Sequence, residues 1–327
     1  MINHLKVGID RAEKAKVFLK SNGFLNENYL PIKGNDFILW PLNQDSVPFE
    51  GEIVVCEGSI HNKSSRDYRL NLNEKTRAIA PRSFDIFGEI AILKLSEESE
   101  VYAKEIAEAL LISHNNIKTV CIDLGVQGEF RIRDLNFISG VKKFTSVHKE
   151  NGMLFEADLS KVYFSPRLAT ERDRVSLLVS ENEFVLDAFA GVAPFSVALA
   201  KKGCKLLCLD SNPYAADWAL KNFINNGINA DQFSYYNIKF EEYDFGVQKF
   251  DRIIMNNPTN SLPFLGRAMD LLLKNGTIHF YSICPKDDSF QISKYLIQGF
   301  ECSAKREVHA YSPSSSLFVF DIRRKLI

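Results

Sequence analysis

The chain has 327 residues, of which 46% are apolar and 25% are charged, and its formal net charge is −1. This length suits two or three domains, and the composition is that of a globular protein with ample core material. No apolar run approaches the roughly 20 residues that span a bilayer, and the net charge does not by itself indicate a polyanionic partner.

The sequence indicates neither a metal site nor a secretory signal. The six cysteines contain no CxxC pair and the six histidines are scattered, so we expect reduced thiols and no metal site. The first segment, "MINHLKVGIDRAEKAK", lacks the apolar centre of a secretory signal. We therefore expect a cytoplasmic protein that binds no membrane, and we expect a monomer.

The first part of the chain predicts a small module and a connection. Residues 10–22 have the pattern of an amphipathic helix ended by Gly23, and "DFILWPLN" predicts a short strand that ends at Pro41. The polar stretch 61–82 contains six Lys or Arg against Asp67 and Glu74, a local net charge of +4. We interpret it as an exposed connection, with an RNA-facing surface as the alternative.

A second α+β module follows, up to about residue 165. Its pattern predicts a strand over 84–95, a helix over 99–113 and a strand in "IKTVCIDL". Further strand-like segments are "GEFRIRDLNFISG" and "GMLFEADLSKVYFS".

Strands and helices then alternate to the end, beginning with a helix over 170–180. This alternation predicts βαβ units and a mostly parallel sheet with helices on both faces. The last two strand-like runs, "REVHAYSP" and "SLFVFDIRR", are separated only by a Ser-rich turn. They should therefore pair antiparallel at one end of the sheet.

The stretch "VLDAFAGVAPFS" has the pattern of a cofactor-binding loop. Asp187 ends a buried strand, and the small residues Ala190, Gly191 and Ala193 let a ligand approach the backbone. Pro194 suits the first turn of the following helix. The G-x-A pattern alone is weak, because an ordinary strand-to-helix turn can share it.

Two later residues strengthen this interpretation. Asp210 ends the next strand, 23 residues after Asp187. In nucleotide-binding α/β folds, an acid about 20 residues after the loop typically accepts hydrogen bonds from the ribose hydroxyls. The alternative is that Asp210 only caps the helix that starts near Pro213. Asn256 follows a fourth apolar strand and precedes Pro258. With no GxGxxG pattern to cradle a pyrophosphate, this constellation favours S-adenosylmethionine over NAD.

At this point the chain resembles the archaeal and eukaryotic tRNA (guanosine-37 N1) methyltransferases and the related wybutosine-pathway transferases. The matching blocks are "FDIFGEIAIL", "GEFRIRDLNFISG", "HKENGMLFEADLSKVYFSPRLATERDR", "LDAFAGVAPFS", "LDSNPYAA" and "DRIIMNNP". The resemblance implies an α/β fold whose C-terminal part is a Rossmann-like class I methyltransferase domain, mostly parallel with an antiparallel terminal strand. It also implies a tRNA-body-contacting module over 1–74, an α+β module over 75–165 and the cofactor-binding domain over 166–327.

The family's mechanism maps onto particular residues of this chain. Methylation of guanine N1 requires removal of its proton, and the family's general base corresponds to Glu171. Arg131 corresponds to the cation that stabilises charge on guanine O6. The cofactor-binding positions implied are Arg172, Asp187, Phe189, Ala190, Gly191, Ala193, Asp210, Ser211, Asn237, Ile238 and Asn256. The substrate-binding positions implied are Tyr163, Asn256 and Pro258, and no metal is implied.

The implied partner is tRNA, whose anticodon loop would present a splayed guanine while the tRNA body contacts the first module. Phosphate contacts are expected from Arg66, Arg69, Lys75, Arg77 and the Lys142–Lys143 pair.

The chain departs from the family pattern at three places. Ala193 replaces the usual loop glycine, Asn237 replaces the acid after the third strand, and Asn257 with Thr259 replace the usual residues of the N-x-P loop. The last departure leaves open a second activity, in which the protein methylates the tricyclic wyosine precursor in addition to guanosine or in place of it. Aminocarboxypropyl transfer, an amino-group methyltransferase and a non-catalytic tRNA-binding protein are further alternatives.

Overall fold

The computed structural model describes residues 1–59, 67–287 and 290–325. Contacts divide the chain into two compact units, Met1–Leu70 and Asn71–Ile327. The three-module division, with boundaries after residues 74 and 165, stays a prediction. Among the described residues, no helix is long and apolar enough to cross a membrane.

In its described residues, the first unit has a four-stranded antiparallel sheet and one α-helix. In spatial order its strands are β2 (Ile32–Lys33), β3 (Phe37–Pro41), β1 (Ile2–Gly8) and β4 (Glu52–Cys56). Helix α1 (Ala12–Ser21) buries Ala15 and Leu19 in one core with Trp40. It begins two residues later than predicted, because Ile9–Arg11 form a 3₁₀ turn. It ends just before Gly23, which adopts the left-handed φ of +70°.

The second unit begins with a four-stranded sheet and its helices. The strands are, in spatial order, β5 (Asp85–Phe87), β6 (Ile90–Leu93), β7 (Thr119–Gln127) and β8 (Ile132–Gly140), and the helices are α3 (Glu97–Glu100) and α4 (Ala103–Ser113). The single strand predicted over 84–95 is wrong, since β5 and β6 form an antiparallel hairpin. The chain turns at Gly88, where φ is +57° and an added Cβ would lie 2.4 Å from the Val147 carbonyl oxygen.

Part of the polar stretch predicted as a connection is folded. Helix α2 (Glu74–Ile79) begins after Asn73, whose Oδ1 accepts from the Thr76 N–H at 2.9 Å. Thr76 is fully buried and donates to Glu105 at 3.0 Å. The boundary between the two units lies within the predicted connection, but this part of it forms a helix, and Thr76 is buried rather than exposed. Residues 60–66, with the predicted phosphate contact Arg66, lie outside the described residues.

A hairpin of β9 (Thr145–Glu150) and β10 (Met153–Asp158) precedes the large sheet. Helix α7 (Ala215–Asn225) fixes this hairpin by side-chain amides. Asn222 accepts from the Glu156 N–H at 2.7 Å, and Asn226 accepts from the Leu154 N–H at 2.9 Å. Both asparagines also donate to carbonyls of the same strand.

A seven-stranded sheet dominates the second unit. Its spatial order is β13 (Phe233–Asn237), β12 (Lys205–Asp210), β11 (Phe184–Asp187), β14 (Phe250–Met255), β15 (Leu272–Pro285), β17 (Ser315–Arg324) and β16 (Phe300–Ala310). The first five strands are parallel, and β17 runs antiparallel to both of its neighbours. The predicted Rossmann-like fold is confirmed, as is the antiparallel pairing of the last two strands. The last strand of the chain lies between β15 and β16 rather than at the edge.

Helices cover both faces of this sheet and place the site. The remaining helices are α5 (Ala169–Ser176), α6 (Pro194–Ala200) and α8 (Leu265–Leu271). Val185 belongs to one buried apolar cluster and Leu186 to another, as expected when successive side chains of a strand point to opposite faces. The strand order reverses between β11 and β14, and ligands of such sheets bind beside the carboxyl ends of the strands at this point.

Candidate active site

One pocket lies at the carboxyl ends of β11, β12 and β14. Most of the predicted site residues line it, namely Arg131, Tyr163, Arg172, Phe189, Ala190, Gly191, Asp210, Ser211, Asn256 and Pro258. Five predicted residues do not line it, namely Glu171, Asp187, Ala193, Asn237 and Ile238. The sequence therefore predicts the wall of the pocket better than the groups behind it.

Asp187 and Ala193 support the loop from beneath. The Asp187 side chain is buried, and its Oδ2 accepts from Ser196 Oγ at 2.6 Å. Burial raises the pKa of Asp187 to about 7. Ala193 is fully buried with a φ of +63°, a conformation that favours glycine. The methyl group that distinguishes this loop from the family pattern therefore packs in the core rather than facing the pocket.

Asp210 joins the loop to the next strand. Its Oδ2 accepts from the Gly191 N–H at 2.8 Å, and its Oδ1 accepts from the Asn212 N–H at 2.9 Å. Burial raises the pKa of Asp210, and these two backbone hydrogen bonds oppose that rise. A carboxylate can accept about four hydrogen bonds, so Asp210 keeps capacity for donors on the pocket side.

Asn237 and Ile238 lie behind Asp210. The Asn237 side chain donates from Nδ2 to the Asp210 carbonyl oxygen at 2.9 Å, which ties the carboxyl ends of β12 and β13 together. Ile238 packs against the apolar cluster that contains Phe240. On the other side of the loop, the Tyr235 hydroxyl donates to the Gly191 carbonyl at 2.8 Å. At the position where the family pattern has an acid, Asn237 therefore links two strands by its side-chain hydrogen bond.

Arg172 lines the pocket, but its guanidinium is bound to other residues of the protein. It is 1% exposed and forms a bidentate pair with Glu150 at 2.5 and 2.6 Å. It also donates to the Ser165 carbonyl at 3.1 Å and lies over the Phe164 ring. Although burial raises the pKa of Glu150, hydrogen bonds from His148 and Arg172 outweigh it and hold that pKa below its ordinary value.

Glu171 is buried within a cluster of donors. Its carboxylate accepts from the Tyr281 hydroxyl at 2.8 Å and from Arg174 Nη2 at 2.8 Å. Arg306, on β16, also donates to it. Only 1% of the residue is exposed. The sequence gives no signal of this burial, because Tyr281 and Arg306 lie 110 and 135 positions away along the chain.

A chain of buried charges continues behind Glu171. Arg174 also donates to Asp321 at 3.0 Å, and His279 Nδ1 lies 2.6 Å from the same carboxylate. Arg252 Nη1 lies 2.7 Å from His279 Nε2. Because a guanidinium only donates, Nε2 must accept and the ring proton resides on Nδ1. Burial lowers the pKa of His279, so this histidine is neutral.

Arg131 and the loop after β14 form the opposite wall. Arg131 has a φ of +53° and donates from Nη1 to Thr259 Oγ1 at 2.7 Å. The Pro258 carbonyl accepts from the Ile283 N–H at 3.2 Å, which holds this loop against β15. Tyr163 lies in a loop and is 37% exposed, so the expectation that it belongs to a strand is wrong.

The pocket has further lining residues that the sequence prediction missed, including Ser165, His309 and Tyr311. His309 lies near the end of β16 and Tyr311 directly follows that strand, and the antiparallel return of β16 brings both to the site. In the described part of the chain, no group of three or more His, Cys, Asp or Glu side chains is arranged to hold a metal ion.

The predicted phosphate contacts are partly engaged within the protein. Arg69 pairs with Asp67 at 2.7 Å, and Arg77 donates to the Leu72 carbonyl at 2.9 Å. Lys142 and Lys143 are exposed.

Comparison with known proteins identifies the family. Residues 146–310 match the TRM5/TYW2 methyltransferase domain, and residues 69–143 match the TYW2 N-terminal domain. The chain is 34% identical to the tRNA (guanine(37)-N(1))-methyltransferase Trm5b of Pyrococcus abyssi, over 98% of each chain. It is 27% identical to a tRNA(Phe) (4-demethylwyosine(37)-C(7)) aminocarboxypropyltransferase of Pyrococcus horikoshii, over 77% of this chain and 92% of that relative.

Solved structures give the same result. The crystal structure of Trm5b from Pyrococcus abyssi superposes with a TM-score of 0.73 at 33% identity, covering 100% of both chains. The complex of aTrm5 with tRNALeu gives a TM-score of 0.72 at 30% identity, covering 98% of this chain and 99% of that one. The chain belongs to the TRM5/TYW2 methyltransferase family.

Proposed function

We propose that this protein transfers the methyl group of S-adenosylmethionine to N1 of guanosine 37 in tRNA. One observation carries the proposal: a single pocket joins the Gly191 loop and Asp210, which suit the cofactor, to Arg131 and Asn256, which suit the base. The relative from Pyrococcus abyssi is named for this activity, and the structural relative aTrm5 is seen in complex with tRNALeu.

The pocket fits the cofactor on chemical grounds. Asp210 has accepting capacity left after its two backbone hydrogen bonds, which matches a ribose diol that offers two donors. A Cβ added at Gly191 would meet nothing within 4 Å, so the loop backbone is open to a ligand. Phe189 provides an apolar wall beside Phe240 and Phe264. When bound, S-adenosylmethionine supplies an activated methyl group on a positively charged sulfur.

Glu171 is the proposed general base. Its carboxylate is shielded from water, and Tyr281, Arg174 and Arg306 donate to it and hold it in place. To reach guanine N1 it must give up one of its present partners. Arg306 is the partner best placed to leave, since its side chain is 44% exposed whereas Arg174 is 22% exposed.

Arg131 is the proposed stabiliser of guanine O6. As N1 loses its proton, negative charge moves to O6, and a fixed cation there lowers the barrier. Thr259 takes one of the five N–H donors of the guanidinium at 2.7 Å, which orients the group and leaves other donors for the base.

The tRNA would bind with guanine 37 splayed out of the anticodon loop. Lys142 and Lys143 are exposed and suit phosphate contacts. The tRNA-body contact of the first module, the monomeric state and the cytoplasmic location stay predictions from the sequence.

The test is transfer from labelled S-adenosylmethionine to two unmodified tRNA transcripts that differ only in G37 or A37. We expect label in the G37 transcript alone. Label in both, or label in neither while the cofactor still binds, would contradict the proposal.

The tricyclic wyosine precursor is a second candidate substrate. The match of residues 69–143 to a TYW2 N-terminal domain favours it. Mass spectrometry after reaction with tRNA that carries this base distinguishes a methyl product from an aminocarboxypropyl product. A failure to bind S-adenosylmethionine with tRNA binding intact would instead indicate a non-catalytic tRNA-binding protein.

A further inference from the structure

A buried polar atom in the pocket wall, Asn257 Oδ1, has no hydrogen-bond partner among the residues that the structure describes. Asn257 follows Asn256 at the carboxyl end of β14 and lines the pocket. Its Oδ1 is buried, and no described residue donates a hydrogen bond to it. A buried acceptor without a donor costs free energy. The amide therefore gains free energy if it turns toward a donor that enters the pocket. The rotation that turns it, about the Cβ–Cγ bond, is a soft one.

The backbone beneath Asn257 is fixed, so the amide is presented at a defined place. Its carbonyl accepts from the Asn260 N–H at 3.2 Å and from the Ser261 N–H at 3.1 Å. The neighbouring Pro258 carbonyl accepts from Ile283 on β15. The loop is therefore a closed turn tied to the sheet.

The same loop also holds the cation that faces the base. Thr259, two positions after Asn257, accepts from Arg131 Nη1 at 2.7 Å. The loop thus combines an anchored guanidinium with an amide oxygen that still lacks a donor. Guanine presents the complementary edge, with the O6 acceptor at one end, N1–H in the middle and the 2-amino donors at the other end.

We propose that Asn257 Oδ1 accepts a hydrogen bond from the 2-amino group of the target guanine and thereby selects the substrate. This inference rests on the proposed function, with Arg131 at O6. Hypoxanthine differs from guanine only in lacking the 2-amino group. The tricyclic precursor has that nitrogen closed into its third ring and offers no amino donor there. Asn257 therefore favours guanosine over both bases.

The test compares kcat/KM for methyl transfer to tRNA that carries guanosine or inosine at position 37. For the wild-type protein we expect guanosine to be preferred by about tenfold or more, because a site with a buried acceptor rejects an analogue that lacks the donor. Asn257→Leu should bring the ratio close to one, mainly by slowing guanosine. Asn257→Asp keeps an acceptor oxygen and should keep the preference.

Asn260→Leu is the matched control, since it makes the same change on an exposed residue of the same loop. It should leave the ratio unchanged, and calorimetric titration should show that all variants still bind S-adenosylmethionine. Equal wild-type rates on the two tRNAs, or a preference that survives in Asn257→Leu, would overturn the inference alone. Absence of any transfer to guanosine 37 by the wild-type protein would refute the proposed function and this inference with it.

Discussion

Replacement of Asp321 by Asn tests the buried charge chain behind Glu171. The Asp321 carboxylate accepts hydrogen bonds from His279 Nδ1 at 2.6 Å and from Arg174 Nη1 at 3.0 Å. Its side chain is only 14% exposed. Although burial raises the pKa of Asp321, the partners His279 and Arg174 outweigh it and lower the pKa from 3.8 to about 2. The Asn variant has the same shape but cannot carry the charge.

The lowered pKa sets the size of the expected loss. At about 1.36 kcal/mol per pH unit, a fall from 3.8 to about 2 corresponds to at most roughly 2 kcal/mol of stability, because the part that a charged His279 contributes is absent where this histidine is neutral. In a unit of this size each kcal/mol moves Tm by about 2–4 °C, so Asp321→Asn should lower Tm by up to about 8 °C at pH 7.

The loss should also depend on pH in one direction. A carboxyl group whose pKa is lowered by folding stabilises the protein fully above its unfolded pKa, and that contribution disappears as the pH falls through the folded pKa. The difference between wild type and Asp321→Asn should therefore be constant above about pH 5 and should shrink between about pH 4 and pH 2.

Thermal unfolding monitored by circular dichroism measures both effects, and Glu301→Gln is the matched control. Glu301 pairs with Arg323 at 3.2 Å, but both side chains are more than a third exposed, so we expect a change below about 1 kcal/mol. If Asp321→Asn costs no more than Glu301→Gln, or if its cost is the same at pH 3 as at pH 7, the account of the charge chain is wrong.

Three further substitutions test the proposed roles. Glu171→Gln should slow single-turnover methyl transfer at neutral pH by about 10²-fold or more with the cofactor Kd nearly unchanged, and unaltered turnover would remove Glu171 as the base. Asp210→Ala should weaken S-adenosylmethionine binding by about tenfold or more in a calorimetric titration, and equal affinity would refute the ribose assignment. Arg131→Lys should slow transfer by about tenfold or more, because a point charge does not reproduce the guanidinium fork, and a wild-type rate would count against its role at O6.

The sheet and the loops at its carboxyl edge could be predicted because their signals are local. Asp187, Asp210 and Asn256 each end or follow an apolar run, and parallel strands bring their carboxyl ends to one edge. The antiparallel return of the last two strands followed from the short turn between them.

The rest depends on contacts between distant parts of the chain. Glu171 has the pattern of a helix-surface charge until Tyr281 and Arg306 meet it from β15 and β16. His309 and Tyr311 reach the pocket only because β16 lies beyond β17. The sequence does not predict the hairpin of β5 and β6. The need for glycine at the turn, Gly88, comes from its contact with Val147, which is distant along the chain. Such pairings carry no periodic signal in the sequence.

The most direct test of the central claim is nucleoside mass spectrometry of G37 tRNA after one turnover with S-adenosylmethionine. The account predicts N1-methylguanosine at position 37 and no methylated nucleoside in the matched A37 tRNA. Methylation at another atom or position, or no methylation while the cofactor is bound, would contradict it.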